Sequence, residues 1–464
     1  MRENIVRAFC GPIERLLLLV MIVSANPIRA QVPTPVTPQS TAPSIPKTPA
    51  GDALRAWLDA FNSGDTARLG AYYRRFQPDL TADEDADFRE QTGGFDLLGI
   101  ERNEPRHLEF TVRERHSPTT AYGVIDVSAT QAGRVKTRRL LAMGPNASSS
   151  ALRIDAASRA SAIAGTAALL DTFYVFPDVA KRMGDSLRAR LARKSYDSYS
   201  NGMMFAMRIN DDLAEIAHDK HMQFDYSARP LPVEAPHQDG AAPPAPLPED
   251  IARRQRFLDN INCGFVKAEQ LPGNIGYLKL NGFADVESCG ATASAAMTFL
   301  AATRALIIDL RENGGGRPDM VAYVSSYLFD RRTHLNDLWT RRTGKTEEFW
   351  TRDSVPGRRF GGEKPLYVLT SAQTFSGGEE FTYNLKNLKR ATIVGETTGG
   401  GAHPVSRHRI DEHFSIDVPF ARAINPITHA NWEGVGVTPD VDVPAKDALA
   451  TAQKLLREKL PQRQ

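Results

Sequence analysis

Three kinds of hydrophobic spacing divide these 464 residues into consecutive segments. The first is an unbroken apolar run at 16–25, LLLLVMIVSA, preceded by Arg2, Arg7 and Arg15 and followed by the small Ala30. A basic start, a short apolar centre and a small-residue exit predict a secretory signal peptide over 1–30. Its apolar part falls short of the ~20 residues that span a bilayer. Residues 31–50 have no apolar period and are rich in Pro, Thr and Ser, which predicts an extended tether. The second spacing is helical. Leu54, Trp57, Leu58 and Phe61 share one face, and another helical stretch lies near 69–73. Residues 107–112, 120–127 and 136–142 instead alternate as strands do, so 51–150 reads as a small α+β unit. Residues 155–228 return to helical spacing, and a proline-dense linker follows at 229–250. In the third pattern, short apolar runs alternate with helical ones: strands at 275–280, 305–310, 366–370 and 391–395, helices at 291–303 and 321–329. The run ALIIDL at 305–310 is nearly continuous, as in parallel strands buried on both faces. An α/β core is therefore expected over 251–450.

Composition changes this picture little. The chain is 41% hydrophobic and 24% charged, with 57 basic against 55 acidic side chains. That balance supplies no electrostatic footprint for nucleic acid. With one short apolar run and no second, the expectation is an exported, periplasmic or secreted protein with no membrane span once the signal is removed. Cys10 lies in the leader, which leaves Cys263 and Cys289 in an oxidising compartment. A disulfide and two buried thiols both remain open, because pairing depends on a Cα separation that sequence does not give.

Candidate chemistry centres on residues 371–380, SAQTFSGGEE, between the predicted strand at 365–370 and a helical stretch at 381–388. A serine on a strand-to-helix turn, followed by two glycines, exposes its hydroxyl and lets a substrate backbone approach. The competing explanation is that Ser376 caps the helix, with Glu379 completing a capping box and Glu380 lying in the favoured first turn. Upstream, DLRENGGG at 309–316 follows the strongest strand. It lacks the Lys-Ser/Thr ending of a nucleotide loop, so its amides are better matched to an oxyanion beside the serine. Asp309 and Arg311 read as a pair that fixes this turn. His218 and His221 lack completing ligands for a metal, so no metal or other cofactor is implied.

Four motifs in order, DLRENGGG (309–316), TFSGGEEF (374–381), IVGETTGGG (393–401) and WEGVGVTPD (432–440), resemble the tail-specific, carboxyl-terminal-processing serine peptidase family. The likeness is to its branch near tricorn protease and the interphotoreceptor retinoid-binding protein. It implies a ClpP/crotonase-like α/β core with a helical N-terminal subdomain, and polypeptide substrates. One branch of the family uses a lysine about 25 positions after its serine, where this chain has Gly401. The tricorn-like branch uses a histidine in a D-x-H element, which Asp219-Lys220-His221 matches, although Lys220 stands where that branch has a serine. The resemblance thus implies Ser376 as nucleophile, His221 as base and Glu433 as the orienting carboxylate. Gly377, Gly315 and Gly316 would form the oxyanion hole. His403 is a rival base beside the rigid Pro404. No PDZ module fits between 226 and 274, and a non-catalytic carrier of an apolar ligand is the alternative. The opening AWLDAFNSGD also resembles nuclear transport factor-like domains.

Overall fold

The computed structural model describes residues 43–78, 83–131, 133–232 and 248–460. The expected signal peptide, most of the 31–50 tether and the centre of the 229–250 linker lie outside these residues. The described residues form two compact units, one of those within 43–155 with 199–204 and 226–230, the other of those within 156–198, 205–225 and 231–460.

The first unit follows its spacing closely. Helices Pro49–Ser63, Thr66–Phe76 and Asp83–Thr92 precede a four-stranded antiparallel meander, Phe95–Asn103, His107–Glu114, Thr119–Val127 and Val135–Pro145. The Thr48 hydroxyl accepts from the Gly51 amide to open the first helix, and Gly64 closes it at a left-handed φ of 68°. Its buried face, Leu54, Trp57, Leu58 and Phe61, packs with Leu108, Phe110 and Val112 of the sheet. His107 has both ring nitrogens engaged, at 2.7 Å by Asp126 and 2.8 Å by Glu109. It offers no free base.

The second unit is built on a six-stranded sheet. Its order is Val441–Asp442, Thr392–Gly395, Leu366–Thr370, Ala305–Asp309, Ile275–Leu280 and Phe265–Leu271. Only the last pairing is antiparallel. Strands Ala305–Asp309 and Leu366–Thr370 are buried throughout, which explains their unbroken apolar sequence. Alternate side chains enter two cores. Leu306, Ile308 and Val368 meet Met297, Val321 and Phe381 on one face. Ile307, Tyr367 and Leu369 meet Ala448, Ala452 and Leu456 on the other. The helix supplying those last three, Ala448–Lys459, runs past the expected boundary at 450.

Two arms flank this sheet: His334–Thr340 with Lys345–Trp350 and Ala421–Ile424, and Val405–Arg409 with Phe414–Pro419 and Gln223–Tyr226. Helices Ala156–Phe173, Pro177–Ala192 and Gly202–Ala217 form the helical piece. Cys263 and Cys289 are joined in a disulfide, with Cα atoms 5.7 Å apart and a sequence separation of 26. It ties the turn before the edge strand to the Val286–Leu300 helix. A loop of this length contributes about 3–4 kcal/mol on the chain-entropy account.

Candidate active site

Parallel pairing places the two glycine-bearing loops side by side. Leu369 is opposite Asp309, so both strands leave the same carboxyl edge of the sheet, where α/β folds place their sites. Arg311 grips Asp309 at 2.6 and 2.9 Å and reaches the Ala445 carbonyl, while Tyr277 donates to Asp309 at 2.7 Å. This pair fixes the start of the glycine loop, as expected of it. Asn313 then donates to the Leu280 carbonyl and accepts the Gly315 amide at 2.8 Å. Gly315 and Gly316 have φ of 106° and 136°, and a Cβ on Gly315 would stand 2.6 Å from the Ser376 Cβ. The loops touch because these residues lack side chains.

Ser376 itself has φ 52° and ψ −118°. The expected capping box with Glu379 is present, yet a capping serine normally has extended backbone, so the cap alone does not account for this geometry. A non-glycine residue held there carries about 1–3 kcal/mol of strain, a feature that clusters at functional turns. The helix begins immediately afterwards, at Gly377–Asn387. The N–H groups of Gly316 and Gly377 have no acceptor among the described residues. The Gly315 N–H does, in Asn313. Of the three expected oxyanion donors, Gly315 therefore supplies space for the turn rather than a hydrogen bond.

Glu379 holds the turn from behind. Fully buried, it accepts from the Ser376 amide at 2.9 Å, Gly400 at 2.6 Å, Gly401 at 2.8 Å and the Thr398 hydroxyl at 2.5 Å. Burial pushes its carboxyl up to about 7 despite these donors. Glu380, one residue on, is buried beneath the helix and pushed up to about 8.

His221 lies beside this assembly. Its ring is 4.5 Å from that of Phe375, the residue before Ser376, and a Cβ on Gly401 would stand 2.5 Å from its Cε1. Both ring nitrogens are buried without a hydrogen-bond partner. Burial pushes the imidazole down to about 4. Neither Ser376 nor Glu433 hydrogen-bonds it.

Glu433 accepts the Ala402 amide at 2.6 Å and lies 3.4 Å from His403 Nδ1, its other oxygen buried and unpaired. Asp219 joins the two histidines. One of its oxygens accepts the His221 backbone N–H at 3.0 Å and the other meets His403 Nδ1 at 2.7 Å. Donor atoms of Asp219, His403 and Glu433 lie within 4.8 Å of one another. The 2.7 Å contact is a hydrogen-bond separation, shorter than the roughly 3.3 Å between two ligands of one small cation. The three form a cluster in which His403 is hydrogen-bonded to Asp219 and ion-paired with Glu433.

Residues 274–443 match the family model Peptidase family S41, and residues 148–266 match that of the N-terminal domain of peptidase S41 in eukaryotic IRBP. Together these matches cover more than half of the chain. The chain belongs to peptidase family S41. It is 29% identical over 182 residues to carboxyl-terminal-processing peptidase 2, chloroplastic, of Arabidopsis thaliana, covering 38% of this chain and 34% of that one. It is 27% identical over 203 residues to the tricorn protease of Thermoplasma volcanium, covering 42% and 18%. The chain thus spans about a third or less of these relatives. A solved structure of the photosystem II D1 C-terminal processing protease is 18% identical, covers 62% of this chain and 93% of that one, and has a TM-score of 0.38.

This S41 chain differs from the tricorn-like pattern at Lys220, whose Nζ reaches the Gly399 carbonyl at 2.5 Å. The lysine thereby braces the 399–401 loop against His221. Two residues of the site were not legible as such in the sequence. Glu379 reads there as the far member of a capping box with Ser376, which the structure contains, but its further partners, the Gly400 and Gly401 amides and the Thr398 hydroxyl, are not visible. His403 reads as a rival base, and its tie to Asp219 spans 184 positions.

Proposed function

We propose that this S41 protein is an exported serine endopeptidase that hydrolyses polypeptides through Ser376. The observation that carries the proposal is the strained Ser376 turn with two uncommitted amides, Gly316 and Gly377, beside it. In this reading Ser376 Oγ attacks the scissile carbonyl, and the two amides stabilise the oxyanion that develops. His221 takes the hydroxyl proton and returns it to the leaving amine. Glu433, through its unpaired oxygen, orients the ring and stabilises the imidazolium. Burial keeps His221 neutral at pH 7, the form a base requires. Hydrogen bonds among catalytic groups often tighten only when substrate binds, which fits a histidine with no partner in the free protein. No helix of the described residues is long and apolar enough to cross a membrane, and the Cys263–Cys289 disulfide suits an oxidising compartment. Without a PDZ module, substrate ends would be selected by the core or the first unit.

The test is incubation of the purified protein with an unstructured polypeptide and mass spectrometry of the products. Internal or C-terminal cleavage is expected. Micromolar binding of a fluorescent fatty acid or retinoid with no cleavage would overturn the proposal in favour of the carrier.

A further inference from the structure

Resting on that reading, we propose that His403 is a positioning residue of the peptidase site: clamped between Asp219 and Glu433, it holds the two carboxylates that place and orient His221. The imidazole is 4% exposed, the Asp219 side chain 1% and the Glu433 side chain 19%. His403 Nδ1 is 2.7 Å from Asp219 Oδ2 and 3.4 Å from Glu433 Oε2. Asp219 also engages the proposed base: its Oδ1 accepts the His221 backbone N–H, while the second oxygen of Glu433 stays buried and unpaired. The amide next to His403, that of Ala402, pins Glu433 at 2.6 Å. The Phe176 ring stands edge-on to His403 at 5.4 Å and closes its remaining side.

Charge gives the clamp its purpose. Two carboxylates this close and this buried would repel, and one would take up a proton. Burial disfavours the imidazolium, but the hydrogen bond that His403 donates to Asp219 and the charges of Asp219 and Glu433 outweigh it, with Arg422 opposing, so His403 is raised above its ordinary value. Glu433 is pushed up to about 7 by burial, with Asp219 and Glu379 adding to this and His403 holding it down. His221, on the same loop as Asp219, and Tyr174, whose hydroxyl faces Asp219, complete the titratable groups around the cluster. Replacing His403 therefore removes a group that holds the Glu433 carboxyl down.

The experiment compares full-length wild type and His403→Gln in kcat and KM for one peptide substrate from about pH 5 to pH 9, with thermal melting of both. The acid limb of the variant is expected to lie about one pH unit or more higher. Activity would then be at least about tenfold lower on the acid side of the limb and would recover toward alkaline pH, with KM little changed. A loss that is the same at every pH, or an unmoved limb, overturns the proposal. In the wild-type protein, nitrogen-15 NMR over the same pH range should find the His403 imidazole losing its proton above the ordinary histidine range. A His403 that titrates at or below the ordinary value overturns the proposal even where His403→Gln does not fold. Wild type that cleaves peptide with an unmoved limb in the variant sinks this role alone. Wild type that cleaves nothing sinks the peptidase reading, and the NMR result still decides whether His403 is a buried cation.

Discussion

Alanine at Ser376 or at His221 is expected to lower kcat/KM on a polypeptide substrate by about 10⁴-fold or more, and the double replacement to cost little beyond either single one. The two groups act in one step: the hydroxyl is a weak nucleophile until the imidazole takes its proton, and the imidazole has nothing else to do without the hydroxyl. Both variants should fold. The Ser376 backbone is set by Glu379 and the glycine loop rather than by its own hydroxyl. The His221 ring nitrogens make no hydrogen bond to lose. Steady-state kinetics of the three variants beside wild type check this. Additive losses would mean that the residues act independently and that His221 is not the base.

Glu379→Ala should have the second largest effect, and on stability as well as rate. The side chain is the common acceptor for the Ser376, Gly400 and Gly401 amides and the Thr398 hydroxyl. Deleting it leaves four donors in a buried space, each costing about 1–3 kcal/mol if no water reaches it. A loss of about 4 kcal/mol or more is expected by denaturant titration, with activity lower by at least about 100-fold as the Ser376 turn relaxes and Gly401 shifts under His221. Glu379→Gln should recover part of the stability by keeping one carbonyl acceptor, yet its amide would face other N–H groups. If Glu379→Ala retained both wild-type stability and wild-type rate, the carboxylate would not be what holds the turn.

The sequence was most readable where structure is decided by neighbours. The buried strands at 305–309 and 366–370 follow from unbroken apolar runs, and the turn at Ser376 from a serine with two glycines. Helix starts were less readable. The helix expected from 291 begins at Val286, because Asp285 accepts the Ser288 amide and caps a polar first turn that carries no apolar period. The strand His334–Thr340 and its partners, and the Ala448–Lys459 helix that closes the second core, carry no local signal that predicts them. In the site, Ser376 and the glycines announce themselves locally. Glu379 and His403 do so less, since Glu379 gathers Thr398, Gly400 and Gly401 from 19 to 22 positions away and His403 meets Asp219 184 positions away. Gly315 shows the converse limit. Its identity marked the loop, but only the Asn313 side chain revealed that its amide is already engaged.

The central claim is that Ser376 is a nucleophile activated by His221. Treating the full-length protein with a fluorophosphonate and locating the adduct by mass spectrometry tests it most directly. One adduct is expected, on Ser376, lost in Ser376→Ala and nearly lost in His221→Ala while both variants melt cooperatively. A wild-type protein that remains unlabelled, or labelling of Ser376 that is indifferent to His221, would contradict it.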